Sequence, residues 1–331
     1  MERFALAAAV VLGFALTAAL CSLFVPLRRV LERREQNQQP AQSEQPRPAP
    51  LRAPLWGGLC AAAGTVAAVG VGWLAACVGQ PELLGSEGRL MTRLLTALAG
   101  SLAFGAVGLA EDLARMRSPA ALGLRRDVRL LLEALAAAFV LLLLQAAGCL
   151  PRGLDVPGAG YVLLGSAVPF LWAVLMVVLA ECARIAERDE GTVCGAAFVA
   201  MLALMMAEAG LGVPGLAVLP AALAGALVAL LLWAFPPARL GVGCCGSLLA
   251  AGAIGCIPLS LDMTSLTVPL ALPFWAAGGL LAAQLLGAKR TGKPLRCWVK
   301  KHKMSPETVF LCSFALSAVG YVLALALLRW C

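Results

Sequence analysis

Ten apolar stretches, each about as long as a membrane's hydrocarbon core is thick, follow one another along this chain. They run over 4–25, 57–78, 90–110, 127–148, 165–181, 192–209, 216–235, 245–262, 268–288 and 307–328. A helix needs about 20 apolar residues to cross about 30 Å of hydrocarbon, and it satisfies its own backbone groups there. The pattern therefore predicts an all-α integral membrane protein of about ten transmembrane helices in one bundle. A water-soluble domain is excluded, because 61% of the residues are hydrophobic and only 13% are charged. The fifth, sixth and eighth stretches are short, so each is read as upright or extended by flanking polar residues.

Most of the 26 Lys and Arg residues fall in the odd-numbered connections, at 28–52, 115–129, Arg184 and Arg188, Arg239, and 289–303. Basic residues resist translocation, so these connections face the cytoplasm and both termini face outward. The net charge of +8 is accounted for by a basic inner face against anionic lipid and calls for no nucleic acid. Arg28 and Arg29 follow the first apolar stretch instead of preceding it, which marks that stretch as a retained helix and not a cleaved signal peptide. The twelve cysteines contain no Cys-x-x-Cys pair and lie mostly inside spans, so neither a disulfide framework nor a zinc site is expected.

A single domain spans 1–331. Within it a flexible cytoplasmic loop is expected over 28–55, around a Pro- and Gln-rich run, and a basic cytoplasmic loop over 289–306. Two outward loops, 79–88 and 148–160, are read as lids without chemistry. Gly100, Gly105 and Gly108 in the third stretch, and Gly252 and Gly255 in the eighth, allow close helix packing; such faces also permit a homodimer.

Ionisable groups at the membrane boundary are expensive, so acids gathered at inner helix ends suggest a site. Glu111 and Asp112 end the third stretch, while Glu181, Glu187, Asp189 and Glu190 follow the fifth. Acids so placed suit Mg²⁺, which takes hard oxygen ligands and offsets pyrophosphate charge during transfer of a phosphosugar to a lipid phosphate. Ordinary solvated helix ends are the competing interpretation. No acid stands out in mid-span and no inverted repeat is visible, which sets a small-solute transporter aside.

Four segments carry a resemblance. Arg52-Ala53-Pro54-Leu55-Trp56-Gly57-Gly58 opens the second span, Glu111-Asp112-Leu113-Ala114-Arg115 closes the third, Arg125 to Ala137 opens the fourth, and Pro237 to Leu248 opens the eighth. Together they resemble the polyprenyl-phosphate/UDP-N-acetylhexosamine phosphoglycosyl transferase family in its MraY-like branch. That family reads Gly-Thr-Pro-Thr-Met-Gly-Gly, Asp-Asp-x-x-Lys, a Lys- and Leu-rich helix start, and Pro-Ala-x-x-Phe-x-Gly-Asp-x-Gly-Ser-Leu at these places. The resemblance implies a multi-pass protein of the bacterial plasma membrane, Mg²⁺ as cofactor, a polyprenyl phosphate lipid as acceptor and a UDP-sugar as donor. It assigns catalytic work to Glu111, Asp112, Arg115, Glu187 and Glu190, and the metal to Glu187 and the position of Cys244; Arg184 and Arg188 are read as phosphate contacts or as an internal cation.

The departures are as specific as the matches. Glu111 stands for an Asp and Arg115 for a Lys. Where the family reads Asn-x-x-Asn-Leu-Thr-Asp-Gly-x-Asp-Gly, this chain reads Glu181 to Gly191, with Glu181 and Arg184 at the Asn positions, Glu187 and Glu190 at the Asp positions, and Arg188 at a Gly. Cys244 replaces a metal-binding Asp, and a thiol is a soft ligand ill suited to Mg²⁺. The family's His-rich segment is reduced to His302 among lysines. Glu in place of Asp shifts a carboxylate by about 1 Å, and misplacement on that scale can cost about 10²-fold in rate. Arg184 and Arg188 are expected to stand in for the cation, paired with Glu181, Glu187 or Glu190. The leading expectation is a catalytically impaired relative, a pseudoenzyme that still binds a polyprenyl phosphate lipid or a partner. The alternative is an active Mg²⁺-dependent transferase in cell-envelope synthesis.

Overall fold

The computed structural model describes residues 2–38, 56–79, 88–117, 123–151, 153–156, 160–163, 165, 167–187, 191–213, 215–236, 238–286 and 305–330. Ten long helices appear among them: α1 (Glu2–Gln38), α2 (Gly57–Gly79), α3 (Gly88–Arg117), α4 (Arg126–Ala146), α5 (Ala167–Ala186), α6 (Thr192–Gly210), α7 (Val218–Ala234), α8 (Gly243–Ser260), α9 (Leu272–Leu286) and α10 (Pro306–Trp330). Seven carry spans long and apolar enough to cross a membrane: Phe4–Phe24, Gly57–Val78, Leu90–Arg117, Ala167–Ala186, Thr192–Gly210, Gly243–Ser260 and Pro306–Arg329. The chain is a helical, multi-pass membrane protein.

Three sequence expectations change in detail. The loop expected over 28–55 starts later, because α1 continues as helix to Gln38; residues 39–55 lie outside the described residues, as does the basic loop 289–306 apart from Ser305 and Pro306. The connection after α4 is not plain loop, since β1 (Gly153–Val156) and β2 (Gly160–Leu163) pair antiparallel with Leu154 opposite Val162. This hairpin reaches the connection after α8, where the Tyr161 hydroxyl donates to Asp262 at 3.5 Å. Finally, two acids do lie deep within helices: Glu133 of α4 and Glu208 of α6 are both fully buried.

Helix α8 is the centre of the bundle. All 18 of its residues are buried, enclosed by α2, α3, α5 and α6. Such enclosure requires small residues on the neighbours, since helix backbones meet closely only where side chains are absent. A Cβ on Gly108 of α3 would stand 2.2 Å from the Cys244 carbonyl oxygen, and one on Gly58 of α2 would stand 2.1 Å from the Gly246 nitrogen. Further along the same seam, a Cβ on Gly100 would stand 2.7 Å from Cys256 Sγ and one on Gly252 would stand 3.0 Å from Ser101 Cα. At the start of α8, the first N–H groups of α2 find acceptors outside their own helix: Gly57 donates to the Gly241 carbonyl at 3.2 Å and Gly58 to that of Val242 at 2.9 Å. The ring of Trp56 stacks on Phe24 of α1 beside this join.

Helix α4 has its polar face turned inward. Arg129, Glu133, Ala136, Ala137, Val140 and Leu144 recur at helical spacing and are buried, while Leu131, Leu135, Phe139 and Leu142 are exposed. A helix that presents apolar side chains outward and charged ones inward is suited to lipid on one side and to a polar site on the other. Gly108→Val forces a methyl-bearing Cβ into the Cys244 backbone and is expected to cost about 3 kcal/mol or more in stability. Gly279→Ala serves as its control, because a Cβ there meets nothing within 4 Å. Thermal unfolding of both purified variants in detergent checks this: the first is expected to melt well below wild type and the second at or above it.

Candidate functional site

The C-terminal ends of α3 and α5 and the N-terminal ends of α4 and α8 meet in a cluster of charges. Helix α3 presents Glu111, Asp112 and Arg115 within about one turn; i, i+3 and i, i+4 spacing sets them on one face. Its Asp112 crosses to α8. The two carboxylate oxygens accept separate bonds, Oδ1 from the Cys244 N–H at 3.1 Å and Oδ2 from the Cys245 N–H at 2.9 Å. Those N–H groups belong to the first turn of α8, where a helix has donors without internal partners. No side chain of α8's own cap residue, Val242, satisfies them. Asp112 therefore caps a neighbouring helix, and its negative charge faces the positive end of that helix's dipole.

Glu111 is claimed by two guanidinium groups. Arg115 Nη2 lies 2.6 Å from its Oε1, and Arg129 Nη1 lies 3.7 Å from the same atom. The other fork of Arg115, Nη1, stands 3.9 Å from Asp112 Oδ1 and 4.0 Å from Glu187 Oε2. Arg129 also donates from Nε to Glu181 Oε1 at 2.7 Å, while Arg184 holds the other oxygen of Glu181. The result is a chain of ion pairs running from α3 through α4 to α5. Buried pairs of this kind cost desolvation but are strongly destabilising to break singly. Glu111 Oε2, Arg184 Nε and both oxygens of Glu133 are buried without a hydrogen-bond partner.

The structure thus brings Glu111, Asp112, Arg115, Glu187 and Cys244 together, five of the positions singled out in the sequence. Arg184 is paired with Glu181, in keeping with the expected internal ion pair, but the guanidinium among Glu111, Asp112 and Glu187 is that of Arg115. Arg188 and Glu190 lie outside the described residues, as does His302. Two contributors were missed. Arg129 and Glu133 sit four residues apart on the inward face of α4, and their spacing was the available signal. Cys244 contributes through its backbone N–H as well as its buried side chain.

Among the described residues, which leave out Asp189 and Glu190, the donor set does not favour a divalent ion. Asp112 has an N–H on each oxygen, Glu111 Oε1 carries two guanidinium contacts, and Cys244 offers a buried thiol where hard oxygen is needed. Among the described residues no group of three or more His, Cys, Asp or Glu is placed to hold a metal.

Comparison with known proteins points the same way as the four segments. The profile described as glycosyl transferase family 4 matches residues 94–262, from α3 through α8, which is just over half of the chain and contains the charge cluster. The phospho-N-acetylmuramoyl-pentapeptide-transferase of Mycobacterium tuberculosis strain H37Rv is 28% identical over 265 residues, covering 72% of each chain. That of Desulforudis audaxviator is 34% identical over 170 residues, 48% of this chain and 50% of the relative. The Synechococcus sp. RCC307 protein of the same name is 32% identical over 215 residues, 63% of this chain and 55% of its own.

The cluster makes a stability prediction. Asp112→Asn keeps the volume but replaces one acceptor with an NH₂ donor facing an N–H of α8, so a buried donor loses its partner at about 1–3 kcal/mol. Arg129→Met removes the link between Glu111 and Glu181 and is expected to cost about 3 kcal/mol or more. Both effects are read as lowered unfolding midpoints in detergent, and the Arg129→Met loss should exceed that of Asp112→Asn.

Proposed function

Since this chain belongs to glycosyl transferase family 4, we propose that it is a plasma-membrane protein of a bacterium that keeps the family's scaffold and inner cleft but transfers a sugar phosphate weakly or not at all. In this reading the chain crosses the membrane ten times with both termini outward, and the cluster lies at the cytoplasmic boundary. The basic bias of the odd-numbered connections supports that orientation. Its ligand is a polyprenyl phosphate lipid, whose apolar tail suits the exposed Leu131, Leu135, Phe139 and Leu142 face of α4.

One observation carries the reading: both oxygens of Asp112 are already engaged by the α8 backbone. An acid tied at both oxygens to the start of a buried helix has little freedom to turn toward a metal-bound pyrophosphate. The substitutions around it remove the remaining parts of the machinery. Cys244 supplies no hard oxygen, and Glu181 and Arg184 pair with each other instead of offering amides to a nucleotide.

The alternative is an active transferase moving the phosphosugar of a UDP-sugar to undecaprenyl phosphate, with Mg²⁺ supporting the step and Glu111, Asp112, Glu187 and Glu190 as its acids. The gathering of the first three around Arg115 favours it. Release of UMP from a panel of UDP-N-acetylhexosamines with undecaprenyl phosphate separates the two readings. Wild type is expected to release no UMP above background with or without Mg²⁺, and robust turnover would overturn the proposal. The combined Glu111→Asp, Glu187→Asp and Cys244→Asp variant is expected to stay inactive too. Groups that act as a unit in catalysis recover little on partial repair, and the positions of Glu181 and Arg184 would still lack amides.

A further inference from the structure

We propose that Cys21 of α1 and Cys60 of α2 form a redox-active thiol pair, a site that closes to a disulfide across the seam between the two helices when a lipid-soluble quinone takes up their two hydrogens. The inference stands apart from the reading of impaired transfer, since it concerns neither the charge cluster nor its substrates.

Helix register carries it. A Cβ on Gly72 would stand 2.9 Å from Ala9 Cβ, and one on Gly64 would run into Thr17, 3.2 Å from its backbone nitrogen. A step of eight residues up α1 therefore matches a step of eight down α2, so the helices run antiparallel and in close contact without slipping. One further turn, four residues on from Thr17 and four back from Gly64, sets Cys21 opposite Cys60. Just beyond them the rings of Phe24 and Trp56 stack with centroids 5.7 Å apart and hold the helices together. Helix α1 is kept in this register from its other side too, where a Cβ on Gly13 would run into the Ala222 carbonyl of α7 and one on Gly225 into that of Val10. Both thiols are free and buried, and they interact side chain to side chain.

A disulfide spans Cα atoms about 4.4–6.8 Å apart, and helices that meet at glycine backbone approach on that scale. Closure breaks two S–H bonds and forms one S–S bond. The two electrons and two protons pass to the quinone, which leaves as the hydroquinone. Location selects this class of oxidant. Cys21 and Cys60 lie within the apolar spans Phe4–Phe24 and Gly57–Val78, where a charged thiol reagent such as glutathione is poorly soluble. The outer face of α1 exposes Phe14, Leu16 and Leu23, so a quinone dissolved in the hydrocarbon phase meets this helix directly. The bond would tie α1 to the end of α2 whose Gly57 and Gly58 donate to Gly241 and Val242, and oxidation would thereby reinforce the join that leads into α8.

Treatment of the full-length protein in lipid nanodiscs with decylubiquinone, whose ring has no open position for a thiol to add to, tests the assignment. Thiols are counted with a maleimide after denaturation, and cross-linked peptides are identified by mass spectrometry. Wild type is expected to lose two of its twelve thiols and to yield a peptide linking Cys21 to Cys60, whereas Cys21→Ala and Cys60→Ala should each keep all that remain. Cys312→Ala, at an exposed position on α10, should form the link as wild type does. Retention of all twelve thiols would overturn the proposal, as would a link that joins Cys60 to Cys245 of α8 in place of Cys21. If an alanine variant does not fold, the identity of the linked peptide from wild type still decides. The oxidised wild type should melt above the reduced protein, because the bond closes a loop of roughly 40 residues in the unfolded chain; equal midpoints would overturn the reinforcement. UMP release, present or absent, moves none of these readouts, so failure of the transfer reading and failure of the thiol pair are seen separately.

Discussion

A buried carboxylate that caps a buried helix is the contact on which the rest of this structure depends. Helix α8 runs through the middle of the bundle with every residue enclosed, so neither water nor a side chain of its own cap residue relieves the N–H groups of its first turn. In a low-dielectric interior an unpaired donor costs more than it would at a surface. Asp112 meets two of those donors from α3, and the glycines at 58 and 108 let α2 and α3 come close enough for the contact to form. Placement of the carboxylate fixes the register of α3 on α8. That register in turn fixes where Glu111 and Arg115, one residue before and three after, emerge into the cleft.

Charge then follows from geometry. Once Asp112 is committed, Glu111 on the neighbouring position needs a cation within a few ångströms, and the covalent chain supplies it twice, from one turn along α3 and from α4. Arg129 is shared with Glu181, which draws α5 into the same network. From α4, Arg129 touches acids on both α3 and α5, and Arg115 reaches from α3 toward Glu187 just past the end of α5, so the network ties three helix ends together in a way that a single surface ion pair does not. Glu133, fully enclosed one turn beyond Arg129, lies beside this network with no hydrogen-bond partner of its own.

Much of this was legible in the sequence. Helix placement follows from hydropathy alone, because lipid forces every spanning segment to close its own hydrogen bonds. The glycines at 100, 105, 108 and 252 pointed to tight seams, and they lie on the seam between α3 and α8. The convergence of Glu111 and Asp112 with the start of α8 was readable through the family's segment order. Other features left weaker traces. The four-residue strands of the hairpin are too short for an alternating pattern to stand out among apolar neighbours. Continuation of α1 to Gln38 runs against a polar composition that reads as loop. Glu133 was overlooked because an acid within a Leu-rich stretch gives no hint of its direction until the inward face of α4 is known, although Arg129 four residues earlier shares that face.

The substitution at 244 shows why fold and chemistry separate so cleanly here. Replacing an acid by Cys at this position removes a side-chain oxygen from the cleft, which is a change in chemistry. It leaves the backbone N–H of residue 244 untouched, and that N–H is what the fold uses, since Asp112 accepts from it whatever the side chain. A small, apolar thiol is also well suited to the enclosed spot beside Gly108, where a second carboxylate next to Asp112 and Glu187 would demand a counter-charge. The scaffold's stability therefore places little constraint on the side chain at position 244, and the chemistry there can change without loss of the contact that sets α3 on α8.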